Sequence, residues 1–362
     1  MFSNKNKNIK VFVGLSGGVD SAVSAALLKE RQYEVTGVFI RIALPGYPCS
    51  AGEDKIDAQR VAAHLKIPFM EIDLSKEYQE EVFAYTIAEL AKGRTPNPDT
   101  LCNQKIKFGK FYEFARSRGA DFVATGHYAQ VVTPVNSSVS ELFTGVDPEK
   151  DQSYFLWMVP EEVLMHVLFP IGHLRKPEVR KLAEKFGLPN ARRKDSQGLC
   201  FLGDISIDEM IMRELNPTPG DMLDERGHVV GTHRGAALYT LGQRHGFELQ
   251  AHTPDTVPYF VIAKNNEANT ITVSTSHLPI IAKKTKVTLT NTNWIGHVES
   301  GMYKARFRYR QKLIPVELLI QSATVAVTLL EPYYIPEGQS LVFYSGERCL
   351  GGGIVDNSEL VA

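Results

Sequence analysis

Cysteine is scarce in this chain: four among 362 residues, Cys49, Cys102, Cys200 and Cys349, with no compact spacing between them. A disulfide scaffold or a zinc knuckle needs closely spaced cysteines, so neither organises the fold, and no protein-only metal site is expected. Long apolar runs are missing too. Nothing approaches the ~20 residues that cross a bilayer, and the polar opening MFSNKNKNIK lacks the apolar core of a signal peptide. A cytoplasmic protein with no membrane partner is the expectation. The formal net charge is −1, so any nucleic acid must be held by local basic patches rather than by the molecule's overall field. No internal repeat or low-complexity tract is visible.

What is present is a chain longer than a single core usually supports, about 250–300 residues, so two or three domains are expected. The first 130 residues alternate strand and helix signals: Val35–Ile40, an apolar helical period from Asp54, a short strand near Phe69–Ile72, helical periods over Glu77–Ala91 and Phe108–Arg118, and a strand at Asp121–Thr125. This implies a mostly parallel sheet whose ligands bind beyond the carboxyl ends of its strands. Asn216–Gly220 is a Pro/Gly linker, and short alternating strands run from about Lys283 to the end. The reading is an α/β domain over 1–205, a small central domain over 206–280 and a C-terminal β-barrel over 281–362.

The first strand, Val11-Phe12-Val13, breaks into Gly14-Leu15-Ser16-Gly17-Gly18 and leads through Val19-Asp20-Ser21 into a helix-forming run. A strand, a glycine loop and a helix start together cradle phosphate with free backbone N–H groups and the positive end of the helix dipole. A Walker A loop would end in Gly-Lys-Ser/Thr; here no lysine occurs until Lys29. Gly14, Leu15, Ser16, Gly17, Gly18, Val19, Asp20 and Ser21 are therefore candidate nucleotide-binding residues. Ile40 and Gly126-His127 fall at the ends of other strands and join the same crevice.

Cys102 lies in Thr95-Pro96-Asn97-Pro98-Asp99-Thr100-Leu101-Cys102-Asn103, where two prolines predict an extended or turning loop rather than a helix. One turn would set the Asp99 carboxylate beside the thiol. Cys200 follows Arg193 and Lys194, whose charges favour a thiolate. Cys49, in a Pro/Gly-rich loop, and Cys349, in a β segment, read as ordinary small hydrophobes. In Lys304-Ala305-Arg306-Phe307-Arg308-Tyr309-Arg310 the cations fall at every second position, which on a strand would form one basic face suited to phosphates.

SGGVDS alone resembles the PP-loop of the ATP pyrophosphatases. Together, SGGVDS, TPNPD-x-x-CN, ATGHYA, KDQSYFL, KDSQ-x-x-CF, LGQR, RYRQ and GE-x-CLGGG stand in the order and spacing of the tRNA-specific 2-thiouridylases, a resemblance that spans nearly the entire chain. Ala22, His245 and Ile40 depart from the family's usual residues. The resemblance implies ATP, with Mg2+ bridging its phosphates, and adenylation of the 2-oxygen of the tRNA wobble uridine. It further implies Cys102 as nucleophile, Cys200 as persulfide carrier joined to Cys102 in a disulfide after turnover, Asp99 as acid/base, and Ile40 in the adenine pocket. Asn97, Pro98 and Asp99 would meet the target base, while His127, Lys150, Asp151, Gln152, Arg308, Tyr309 and Gln339 would contact tRNA. The sulfur would arrive from a persulfide donor protein, either a cysteine desulfurase or a sulfur-relay carrier. From the residues alone the roles of the two cysteines stay interchangeable, and an iron–sulfur cluster held partly by them is a rival. Another PP-loop adenylating synthetase of the amidotransferase type is the alternative enzyme, and a non-enzymatic RNA-binding adaptor would need neither the loop nor the thiols.

Overall fold

The computed structural model describes residues 6–47, 51–134, 137, 139–195, 205–250, 257–276, 283–321 and 324–361. Its first sheet is built from β1 (Lys10–Gly14), β2 (Glu34–Arg41), β3 (Phe69–Asp73) and β4 (Phe122–Ala124); a hairpin of β5 (Ala129–Val132) and β6 (Glu141–Thr144) intervenes before β7 (Val167–Leu168). The order is β3-β2-β1-β4-β7, every pairing parallel. β1 is central because its Val11, Phe12 and Val13 are buried on both faces, as parallel strands require. The strand order reverses between β1 and β4, which makes the carboxyl end of β1 the crevice.

Helix α1 (Val19–Glu30) is buried almost all round, from Val19 through Leu28. Its Ser21, Ala22, Ser24, Ala25 and Ala26 are small enough to let it sit between the sheet and the helix Lys176–Lys185, whose Val179 and Ala183 share its core. A second core on the opposite sheet face gathers Phe12, Ile40, Cys102, Ile106 and Phe111.

The proline-rich segment departs from expectation. Pro96-Asn97 is irregular, but Pro98 starts a helix, Pro98–Cys102, that runs without a break through a π-helical stretch, Asn103–Lys110, into Phe111–Ser117. Proline is tolerated at the first helical turn because its missing N–H would have no intrahelical partner there. The Asn97 side chain caps the turn by accepting from the Thr100 N–H (3.2 Å).

The central sheet holds β8 (Gly220–Leu223), β9 (Val229–His233), β10 (Phe247–Leu249), β11 (Phe260–Asn265) and β12 (Thr270–Ser274), in the order β10-β9-β8-β12-β11. Then β13 (Lys284–Trp294), β14 (Gly301–Arg306), β15 (Ile314–Gln321), β16 (Thr324–Leu329), β17 (Ser340–Ser345) and β18 (Arg348–Val361) form an antiparallel barrel, closed by pairing of β13 with β18. The hairpin β5–β6 of the first domain extends this barrel, Leu142 pairing with Cys349. Near the chain crossing, Thr95 N donates to the Glu337 carbonyl (2.7 Å).

The alternating basic face is not formed. β14 ends at Arg306, and Phe307–Arg310 leaves the strand. Lys304, Arg308 and Arg310 are exposed, whereas Arg306 turns inward and is 8% exposed. Period-two alternation lasts only while the backbone stays extended.

Candidate active site

β1 delivers Gly14 and Leu15 to the carboxyl edge of the parallel sheet. Leu15 is buried, its N–H donating to the Val38 carbonyl (2.8 Å), and Ser16 emerges exposed. Gly17 has φ 78°, and a Cβ there would lie 2.5 Å from the Asp54 carbonyl oxygen, so both conformation and space demand glycine. The Ser21 hydroxyl ties the turn together, accepting from Ser16 N (3.2 Å) and donating to the Gly18 carbonyl (3.1 Å). Gly18 precedes α1 with no side-chain cap, and Val19 anchors the helix start in the core. Gly126 passes behind this turn; a Cβ on it would sit 2.7 Å from Ser21 N. The result is an anion cradle whose cap is left to an incoming ligand.

A cluster of charges stands beside it. Asp20, in the first turn of α1, accepts from Lys176 Nζ through both oxygens (2.7 and 2.8 Å) and from the Tyr128 hydroxyl (2.9 Å). Lys176 Nζ also reaches Asp195 (2.8 Å), which in turn binds Lys150 Nζ (2.8 Å) and the Arg180 guanidinium. Burial alone would raise the Asp195 carboxyl, but hydrogen bonds and charge from Lys150 and Lys176 outweigh it and hold it at about 2. Burial, with the Asp20 carboxylate beside it, pushes the Tyr128 phenol up, so that hydroxyl remains a donor. Arg193 pairs with Asp54 and Asp57, and with Asn190 it reaches the Gly17 carbonyl, fastening the loop from below.

Cys102 has no exposed surface and packs beside Phe12, Ile40 and Ile106; Asp99, one turn earlier, is half-buried. Ile40, near the end of β2, is buried in the same core. His127 is buried, with Nδ1 2.7 Å from the Thr125 hydroxyl and Nε2 3.5 Å from Lys107 Nζ. Lysine can only donate, so the ring is assigned its proton on Nδ1. Burial first, and then Lys107, push its pKa well below 6.5, keeping it neutral. Burial lifts the Cys349 thiol to about 12, which makes it the inert hydrophobe expected.

The remaining sequence-predicted residues divide three ways. Lys150 belongs to the cluster beside the loop. Gln152 accepts from Tyr128 N (3.0 Å), and Asp151 is turned into the interior onto Arg306, Ser153 and Gly145 N. Arg308 and Gln339 face a groove of about 440 Å³, shared with Thr95 and with Thr240–His245 of the central domain. Buried Tyr154 joins its parts, sitting against Asn97 and directing its hydroxyl to the Phe307 carbonyl (2.9 Å) and to Gln339 (3.4 Å). Tyr309 packs against Phe155 with the rings tilted by 44° and their centroids 4.9 Å apart. Cys49 and Cys200 lie outside the described residues. Sequence reasoning missed Lys176, Asp195 and Tyr154 as site-builders, and it gave Arg306 to a basic outer face where the structure turns it onto Asp151. Tyr154 and Asp195 stood inside the quoted strings KDQSYFL and KDSQ, whereas Lys176 carried no signal beyond a proline-led helix start.

Family models match the chain in three consecutive stretches: a tRNA methyl transferase HUP domain over residues 9–204, a tRNA methyl transferase PRC-barrel domain over 208–275, and an aminomethyltransferase beta-barrel domain over 284–355. The tRNA-specific 2-thiouridylase MnmA of Lacticaseibacillus paracasei is 41% identical over 359 residues, covering 97% of this chain and 95% of its own length. That of Streptococcus mutans is 40% identical over 361 residues, covering 98% and 96%. A solved NMN synthetase from Francisella tularensis overlaps 58% of this chain and 74% of its own at 19% identity and a TM-score of 0.35, too loose a likeness to carry an argument.

Proposed function

The chain belongs to the tRNA-specific 2-thiouridylase family, and on that premise we propose that it exchanges the 2-oxygen of the tRNA wobble uridine for sulfur at the expense of ATP. Oxide is a poor leaving group, so the oxygen is first made into an AMP ester. The uridine 2-oxygen bonds to the α-phosphorus, the N3 proton is lost to a base, for which Asp99 is the candidate, and pyrophosphate departs with the bonding electron pair. The Ser16–Ser21 loop and the N-terminus of α1 hold the departing phosphates. Among the described residues no group of three or more His, Cys, Asp or Glu could hold a metal ion. The Asp20 carboxylate, in the first turn of the helix that follows the phosphate cradle, nevertheless fits magnesium, which is bound mostly by phosphates and water with one or two carboxylates. When present, the ion would shield the phosphate charge.

Sulfur then arrives as a persulfide on Cys200. Attack of the Cys102 thiolate on the Cys200 sulfur frees hydrosulfide and leaves a Cys102–Cys200 disulfide. Hydrosulfide attacks C2, AMP leaves, and an external thiol reductant reopens the disulfide. Asn97, Pro98 and Asp99 meet the base. Arg308, Tyr309 and Gln339 hold the RNA, with the target nucleotide turned out of its stack. Asp151, being interior, serves by fixing Arg306 and the motif around it rather than by touching RNA.

The observation that supports this reading most is one continuous arrangement: the anion cradle, the helix bearing Asp99 and Cys102 on the same sheet, and a groove at Thr95 lined by Arg308 and Gln339. Purified protein, tRNA transcript, ATP and a persulfide donor should yield 2-thiouridine by nucleoside mass spectrometry, with pyrophosphate release that requires tRNA. Pyrophosphate released equally without tRNA, and no thiolated nucleoside, would transfer the chain to the amidotransferase-type synthetases.

A further inference from the structure

The phosphate loop contains no lysine, yet the fold brings one to it. Lys176 opens the helix Lys176–Lys185 and crosses to the first turn of α1, with its side chain 13% exposed. Its three N–H donors are spent on two carboxylates, Asp20 and Asp195. Asp195 has two further cations, Lys150 and Arg180, and so keeps partners when Lys176 leaves it. Asp20 has the neutral Tyr128 hydroxyl as its other donor. Asp147 stands behind, accepting from the Lys176 backbone N–H (2.8 Å) and fixing where the side chain begins. Lys176 is thus a point charge on a flexible stem, anchored at its root and shared at its tip, beside an uncapped helix N-terminus.

We propose that Lys176 is the phosphate-contacting cation of this enzyme, taking the part that a P-loop lysine plays from within its own loop. Its ammonium moves from Asp20 to the β- and γ-phosphate oxygens of ATP and neutralises the charge gathered on pyrophosphate as the bond to the α-phosphorus breaks. Asp195 keeps Lys150 and Arg180, so the neighbouring ion pairs persist while Lys176 shifts. The assignment rests on the adenylation reading above but is tested by binding, which does not need turnover.

Calorimetric titration of wild type, Lys176→Met and Lys176→Arg with ATP, AMP and inorganic pyrophosphate, in the absence of tRNA, separates the cases. For Lys176→Met the Kd for ATP and pyrophosphate should rise about tenfold or more, while that for AMP stays within about twofold; Lys176→Arg should recover part of the loss. Equal weakening for AMP, or unchanged pyrophosphate affinity, would overturn the proposal. Should Lys176→Met fail to fold, Asp20→Asn supplies the second measurement, made without magnesium. Removing the competing carboxylate should tighten pyrophosphate binding if Lys176 is the phosphate ligand, and should leave it unchanged or weaker if the lysine serves only to tie two helices. Loss of tRNA-dependent pyrophosphate release in wild type would strike the proposed reaction and leave these binding differences standing.

Discussion

Lys150 and Asp151 are neighbours in the chain and enter two ion clusters of opposite character. Asp151 joins Arg306, Ser153 and Tyr344 where the first domain meets the barrel, with side-chain exposures of 9% for Arg306 and 5% for Asp151. Lys150 joins Asp195, Lys176, Arg180 and Asp20 beside the phosphate loop, where exposures run from 13% to 32%. In the first cluster the charged groups are almost wholly buried; Arg306 also donates to the Tyr344 hydroxyl through Nε (3.0 Å) and Nη2 (2.7 Å). In the second, one lysine is divided between two carboxylates at the edge of an anion cradle. Charge alone does not separate the two clusters. Burial and surplus partners do.

The largest expected effect comes from breaking the sealed cluster. Arg306→Ala leaves Asp151 charged and buried and should cost about 3–5 kcal/mol in denaturant unfolding. The double change Arg306→Met with Asp151→Leu should recover much of that loss, since no orphan charge remains. A single-mutant cost within about 0.5 kcal/mol would erase the distinction between the clusters.

Acid sharpens the comparison from the other side. The folded state holds the Asp195 carboxyl at about 2, below its ordinary 3.8, so the unfolded chain takes up a proton first. The stabilisation from the Asp195 ion pairs is therefore fully present above about pH 4 and fades as the pH falls toward about 2. Acid unfolding followed by near-ultraviolet circular dichroism should show a slope in that window that Asp195→Asn flattens; an identical slope in the variant would deny Asp195 this role.

The smallest effect on stability belongs to Arg308, exposed two residues beyond Arg306. Arg308→Ala should change unfolding free energy by no more than about 0.5 kcal/mol. It should still weaken tRNA binding and make the salt dependence shallower by about one unit of logarithmic slope or less. Unchanged affinity across a salt series would return Arg308 to an ordinary solvated side chain.

The sequence alone determined the phosphate loop, the parallel α/β pattern and the family. Loop geometry is local: a strand, two glycines and a helix start lie within a dozen residues, and the backbone requirement at Gly17 is written where it acts. Tertiary structure decided which charges do what. Alternation placed Lys304, Arg306, Arg308 and Arg310 on one face, but the strand ended at Arg306 and the interior claimed it. Two prolines argued against a helix around Cys102, yet Pro98 fell at a first turn, where its missing N–H costs nothing, and Asn97 capped it. Lys176 lies 156 positions from Asp20 in the chain. No window of sequence contains that pair, because the contact exists only after α1 and the helix Lys176–Lys185 pack together on one face of the sheet.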